Sequence, residues 1–244
     1  MDGEDASQTF TDESGKTWTA HGNAQIDTAQ SVFGGASGLF DGTGDYIDTP
    51  DHADWSMGSN DFTVDFWIRR NAINARQWVF GNMDSSSYFT TASFGAGIQA
   101  DNKVEFIVVR DNSALVQPIS SGTITSTSAW NHIAIVRYGN TVTLYINGVA
   151  DGTGDVTGWT VKDSSSKFTI GRPGEYNGLY WNGWIDEFRI SKGIARWTSN
   201  FTPPNVAYGA FPPKVKTWNG VAIASVKTIN GIAIANVKSV QGLT

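Results

Sequence analysis

Seven aspartates crowd residues 41–65: Asp41, Asp45, Asp48, Asp51, Asp54, Asp61 and Asp65. Carboxylates at such density can serve two chemistries. They can hold calcium, which takes several hard oxygens from loops, or they can close turns by accepting bonds from nearby backbone N–H groups. Asp186 stands in a sharper setting, because Trp184, Phe188 and Ile190 share its parity along WIDEFRIS (184–191). A carboxylate on an apolar face is costly unless it is paired or metal-bound. Asp41, Asp45 and Asp186 are therefore the expected ligands of a structural calcium, with turn closure and ion pairing as the competing uses.

A second chemistry lies in the rings. Ten tryptophans exceed what one core needs, since large aromatic residues are only partly buried on average. EYNGLYWNGW (175–184) places Tyr176, Tyr180, Trp181 and Trp184 in a Gly- and Asn-rich loop. Aromatic faces stack on sugar rings, and neighbouring Asn and Asp bond hydroxyls. These four residues are the expected carbohydrate platform, loops being where binding residues concentrate. The alternative is a loop that buries its own rings against the edge of the domain.

Such side chains need a frame. DFTVDFWIRR (61–70) alternates, with Phe62, Val64, Phe66 and Ile68 on one face and Thr63, Asp65, Trp67 and Arg69 on the other, the period of a half-buried strand. WNHIAIVRYGNTVTLYINGV (130–149) reads as two strands around a Gly-Asn turn, followed by Asn147-Gly148, a strong signal for a tight hairpin turn. KVEFIVVR (103–110), KFTIG (167–171) and residues 184–191 are further strands, and no stretch carries a helical period. Many short strands between turn signals predict an all-β sandwich or barrel.

The bulk properties narrow the class. The chain has 244 residues, 40% of them hydrophobic, and no apolar run long enough to span a bilayer as a helix. No charged-then-apolar opening segment reads as a secretory signal. Without cysteine it forms neither disulfides nor thiolate metal sites. Of its 17 Lys and Arg, four lie beyond residue 204, namely Lys214, Lys216, Lys227 and Lys238, leaving 13 against 23 acids, a net −10, in residues 1–204. That balance argues against a nucleic-acid partner.

Three stretches together carry a family resemblance: SGLFDGTGDYIDTP (37–50) with FTVDFWIRR (62–70), WNHIAIVRYGNTVTLYINGVADGT (130–153), and FTIGRPGEYNGLYWNGWIDEFRISKGIARWTSNFTPP (168–204). Over residues 9–204 the chain resembles the concanavalin A-like, laminin-G-like jelly rolls, and IARWTSNFTPP resembles the versions found in bacteriophage structural proteins. The resemblance implies two curved antiparallel sheets of six or seven strands packed face to face, and a calcium site where an early strand meets a late one. Family members carry a hydrophobic first strand ending in Asp-Gly, whereas this chain begins MDGEDAS. Either the domain has lost that strand or the chain is the C-terminal part of a longer protein.

Glycosidases on this fold place acid and nucleophile in a Glu-x-Asp-x-x-Glu strand. None of the five glutamates (Glu4, Glu13, Glu105, Glu175 and Glu187) stands in that pattern. His21, His52 and His132 are far apart, and His132 reads as a structural residue of its strand. Gly15-Lys16-Thr17 lacks the earlier glycine of a phosphate loop, where Phe10 stands instead. TDESGKTW (11–18) has the flavour of a sialidase Asp-box but carries Glu13 at the Asp position, so it reads as a hairpin turn. Asn200-Phe201-Thr202 fits a glycosylation acceptor that nothing else in the sequence supports. A binding role without catalysis is the expectation.

Residues 197–213 hold four prolines and predict an extended strap or linker. The domains expected are a jelly roll over 1–204, a Pro-rich linker over 205–214 and a repeat segment over 215–244. The last reads VKTWNGVAIAS, VKTINGIAIAN, VKSVQGLT, an eleven-residue period of strand, Asn-Gly turn and strand. One such unit cannot bury its apolar side, so the segment is expected to attach or oligomerise, with a trimer as the first expectation and docking on other virion proteins the second. Together these features predict a non-enzymatic virion protein, a tail fibre, spike or capsid decoration, that adheres to glycans or a host cell surface through many weak contacts. A purely structural decoration protein without a sugar ligand is the alternative. Neither nucleic acid nor membrane insertion is expected.

Overall fold

The computed structural model describes residues 1–83, 93–110 and 114–208, together with 217–218, 221–222, 228–229 and 232–233. It comprises two compact units, Met1–Ala207 and Tyr208–Thr244. The strands of the first unit begin with β1 (Thr19–His21), β2 (Gln25–Asp27), β3 (Ser37–Asp41), β4 (Tyr46–Thr49) and β5 (Phe62–Arg70). They continue with β6 (Gln77–Gly81), β7 (Phe94–Ile98), β8 (Lys103–Val109), β9 (Leu115–Val116) and β10 (Ile119–Thr123). The last are β11 (Asn131–Tyr138), β12 (Thr141–Ile146), β13 (Val149–Asp155), β14 (Phe168–Ile170) and β15 (Asn182–Lys192).

They form two antiparallel sheets. One has eight strands in the order β1-β4-β14-β6-β7-β8-β10, with β9 paired to β8 off that path, and the other seven in the order β13-β12-β11-β5-β15-β3-β2. The expected all-β jelly-roll sandwich is what the chain adopts. One sheet is a strand larger than the family pattern implies, through the two-residue β9.

Strand β5 shows why the sheets hold together. Phe62, Val64 and Ile68 are fully buried and Phe66 is 1% exposed, and each such side chain contributes about 1.5–3 kcal/mol when buried. A one-residue slip would turn all four outward. Phe80, on the facing sheet, meets Phe66, Phe168 and Phe188 at ring-centroid distances of 5.7, 5.8 and 5.2 Å. Aromatic contact across the two sheets thus centres the core.

The outer face of β5 is closed by the strap that follows β15. Trp197 and Phe201 stack with centroids 4.0 Å apart and pack on Ala134, Val136 and Tyr145. Beneath them the buried Asp65 pairs in two-pronged fashion with Arg189 at 2.7 and 3.0 Å, and His132 turns its ring to both aromatics. His132 is fully buried, in keeping with a structural role. Asn147 and Gly148 carry φ values of 51° and 80° and join β12 to β13, the double left-handed pair that a tight hairpin turn demands. Gly148 has a second duty: a Cβ there would lie 1.9 Å from the Phe201 carbonyl oxygen.

In the second unit, β16 (Thr217–Trp218) pairs with β17 (Val221–Ala222), and β18 (Thr228–Ile229) pairs with β19 (Ile232–Ala233). Trp218 faces Val221 and Ile229 faces Ile232, so two successive repeats make the same antiparallel pair. The partial third repeat, 237–244, and residues 209–214 of the expected linker lie outside the described residues.

Candidate functional site: an aromatic and basic face on the eight-stranded sheet

Strand alternation sets the outer face of the β1-β4-β14 corner. Ile47 and Ile170 turn inward to the core, so Tyr46 and Asp48 of β4 face outward, with Thr169 between Asp48 and Gly81 in register. The β1–β4 pairing sets His21 opposite Tyr46. Their rings stack at 4.2 Å with 9° between planes, and His21 Nε2 lies 3.0 Å from Asp48 Oδ2. Lys167, just before β14, donates to the same oxygen at 3.0 Å.

The loop after β14 supplies the rest. Arg172 Cζ sits 3.5 Å from the Tyr46 ring centroid. Two groups that close to one ring centre would collide on the same side, so Tyr46 is held between His21 and Arg172. Tyr180, half-buried, lies 6.4 Å from Tyr46 with a tilt of 32°, and its hydroxyl donates to Asn177. The loop is pinned at both ends: Trp181 N–H donates to Gly171 O at 2.8 Å and Trp78 N–H donates to Leu179 O at 2.8 Å. The result is a firm surface in which His21 and Arg172 cover the two faces of Tyr46, and the tilted Tyr180 ring beside it is the one that can stack on a flat apolar ligand face.

The structure redistributes the expected platform. Tyr176 and Tyr180 remain half-exposed in the loop, and only Tyr180 joins the Tyr46 stack among the described ring contacts. Trp181 is fully buried in the main core. It fills space between the sheets where the chain passes from β14 to β15, and offers no face to a ligand. Trp184 belongs to the other sheet. Its neighbour Ile185 points inward opposite Ile68, so the indole faces outward, donates to Asp27 at 2.6 Å and stacks under Arg69 at 5.1 Å. Four aromatic residues close in sequence thus serve three places.

The expected calcium set is also not assembled. Asp41 and Asp45 do meet: Asp45 accepts the Asn23 and Asp41 backbone N–H groups at 2.7 and 2.9 Å, and Asp41 accepts that of Thr43 at 2.7 Å. The Asn23 amide, turned to satisfy its bonds, donates to both carboxylates at 2.8 and 3.2 Å. Burial, reinforced by the Asp41 charge, pushes the Asp45 carboxyl above its ordinary 3.8, despite its backbone bonds. Asp186 stands apart from these. Its oxygens accept from the Met1 amino group and from the backbone N–H groups of Val32, Phe33 and Glu187, at 2.8–3.3 Å. Among the described residues no three His, Asp or Glu side chains converge as metal ligands would. The residues present do not fit the calcium site that the family resemblance implies; they fit turn locks.

The parity argument for Asp186 fails for a specific reason. Asp186 pairs with Trp67 while Arg189 pairs with Asp65, so β15 carries an extra residue between them, and Glu187 takes φ 51°. Ile185 before the bulge and Phe188 and Ile190 after it all pack toward the core. Asp186 and Trp184 therefore face outward, away from Phe188 and Ile190. Sequence reasoning also missed His21, Tyr46 and Arg172. The alternation of YIDT (46–49) marks Tyr46 and Asp48 as one face, but nothing local brings His21 and Arg172 to it.

A family model described as the concanavalin A-like lectin/glucanases superfamily matches residues 41–199. No curated protein matches the chain. Among solved structures, the binding domain of a paraclostridial mosquitocidal protein superposes with a TM-score of 0.60 at 19% identity, over 76% of this chain and 47% of that one. Domain 4 of an extracellular arabinanase from Geobacillus stearothermophilus, in complex with arabinotriose, superposes with a TM-score of 0.58 at 18% identity, over 77% and 88%. The botulinum neurotoxin serotype G binding domain gives 0.55 at 14%, over 78% and 45%. The chain spans about half the length of the two toxin domains. At these identities the likeness is one of fold.

Proposed function

The chain belongs to the concanavalin A-like lectin/glucanase superfamily, and on that premise we propose that its first unit is a non-catalytic glycan-binding jelly roll. The observation that carries this reading is the half-exposed Tyr180 ring, hydrogen-bonded to Asn177 and set beside a Tyr46 ring clamped between His21 and Arg172. Stacked rings flanked by hydrogen-bond donors suit a sugar, whose faces are apolar and whose edges are polar. The arabinanase domain crystallised with arabinotriose supports this as the work of a similar fold.

Partnered carboxylates favour binding over hydrolysis. A retaining glycosidase needs two carboxyl groups about 5–5.5 Å apart across an open site. Here the buried Glu105 is held by Arg76, Gln99 and Gln117, Asp65 by Arg189, and Asp48 by His21 and Lys167.

The repeats of the second unit supply attachment, with a trimer first among the assemblies to test. Placement on a phage virion, as tail fibre, spike or capsid decoration, rests on the resemblance of residues 194–204 to bacteriophage structural proteins. Many copies of a modest site would then adhere strongly to a glycan-coated surface. A glycan array with the full chain and with Tyr180→Ala tests the reading. Binding by the parent chain and its loss in the variant are expected; no binding by either leaves the structural decoration role.

A further inference from the structure

Resting on that reading, we infer that the sugar taken by this face is acidic, a saccharide whose carboxylate meets the guanidinium of Arg172. Arg172 is only 9% exposed. Among the described residues nothing hydrogen-bonds or ion-pairs its guanidinium, and its buried Nε has no partner. What compensates the charge is the Tyr46 ring 3.5 Å beneath Cζ. Burying Nε without a partner is costly, while the two terminal nitrogens are not among the buried unpartnered atoms and are open to a ligand. Asp48 is already engaged by His21 and Lys167, both at 3.0 Å. Although residues 1–204 hold ten more acids than bases, no carboxylate among the described residues pairs with Arg172.

The geometry selects the chemistry. Tyr46 is clamped by His21 on its other side, so the guanidinium rests on a fixed ring and its orientation is set before a ligand arrives. A planar guanidinium edge matches a carboxylate with two parallel N–H···O bonds, among the stronger hydrogen bonds proteins make. Tyr180 and Arg172 both lie against Tyr46, at 6.4 and 3.5 Å from its ring centre. A short oligosaccharide spans the two, stacking one sugar on Tyr180 and presenting the carboxylate of a uronic-acid unit to Arg172. Neutral sugars would gain the stacking alone.

The test uses the full chain and paired probes: trimers of galacturonate, glucuronate and mannuronate, and the methyl ester of each, titrated by calorimetry alongside a set of neutral trisaccharides. At least one acid is expected to bind tenfold or more tighter than its ester, the scale of one charge-assisted pair. Arg172→Gln should bring that acid to the affinity of its ester without changing the ester's own. Arg172→Lys keeps the charge but loses the forked edge, and should retain the melting temperature while losing most of the preference. Equal affinity for acids and esters, or a preference that survives Arg172→Gln, overturns the inference alone. Binding of neutral trisaccharides without any acid does the same. Failure of every acid, ester and neutral sugar overturns the glycan reading with it.

Discussion

Gly148 offers a quantitative test of how the strap holds the domain. Replacing it with alanine imposes two costs. The first is conformational: a residue with a Cβ pays about 1–2 kcal/mol in the left-handed region, and Gly148 sits at φ 80°. The second is steric. The new Cβ would lie 1.9 Å from Phe201 O, so the strap must retreat, and Phe201 N–H now donates to Gly148 O at 2.9 Å. Losing that bond costs about 1 kcal/mol. Gly139 provides the control, for it turns at φ 57° with nothing within 4 Å of its would-be Cβ. Gly139→Ala should therefore lose about 1–2 kcal/mol and Gly148→Ala about 2–3 kcal/mol or more. At about 2–4 °C per kcal/mol for a unit of this size, the two melting temperatures should differ by several degrees, readable by calorimetry. Amide exchange should also quicken at Phe201 in Gly148→Ala and not in Gly139→Ala. Equal losses, with the strap still protected in both, would refute the idea that its closeness to the hairpin stabilises the fold.

Three further outcomes follow from the partnered carboxylates and the repeats. Arg189→Ala leaves the fully buried Asp65 without its two-pronged partner and should cost about 3–5 kcal/mol; a melting temperature within two degrees of the parent would show the pair to be idle. Asp45 holds its proton more tightly folded than unfolded, so the stability it contributes is present below its unfolded value and lost as pH rises through its raised folded value. The parent's advantage over Asp45→Asn in denaturant melts should therefore shrink as pH climbs from about 4, the ordinary carboxylate range, and an advantage that grows would contradict the sign. Deleting 209–244 removes paired strands of two residues each, whose edges need partners; mass in solution should fall from oligomer to monomer, and an unchanged mass would sever the repeats from assembly.

Much of the frame was legible because it is local. The period of two in β5 named its core side chains, and Asn147-Gly148 named its turn, since each signal depends on residues adjacent in sequence. The platform was legible only in kind. Rings in a Gly- and Asn-rich loop single out residues 175–184, but which ring faces out depends on where the chain crosses between sheets. That crossing buries Trp181 and sends Trp184 to the opposite side. His21 and Arg172 reach Tyr46 through pairings 25 and 126 positions apart, which no window of sequence contains.

Asp186 shows how a single residue can invert an inference that was sound in form. Along an unbroken strand its apolar neighbours of like parity would have faced the core with it, and a metal or a cation would have been needed to hold the charge there. The bulge at Glu187 adds one residue to β15 against β5. Phe188 and Ile190 therefore swing inward while Asp186 stays outward, where Val32 and Phe33 give it their backbone N–H groups. Bulges redirect side chains in this way at sheet positions where pairing must shift. Here the shift also delivers Arg189 to Asp65, for if the same residues ran in unbroken alternation Arg189 would face the core. The displaced parity that defeats the metal argument is thus the same feature that satisfies the buried carboxylate of the neighbouring strand. Were Glu187 instead taken into simple alternation, Arg189 would turn inward and Asp65 would lose its pair, so with this sequence the sheet requires the bulge.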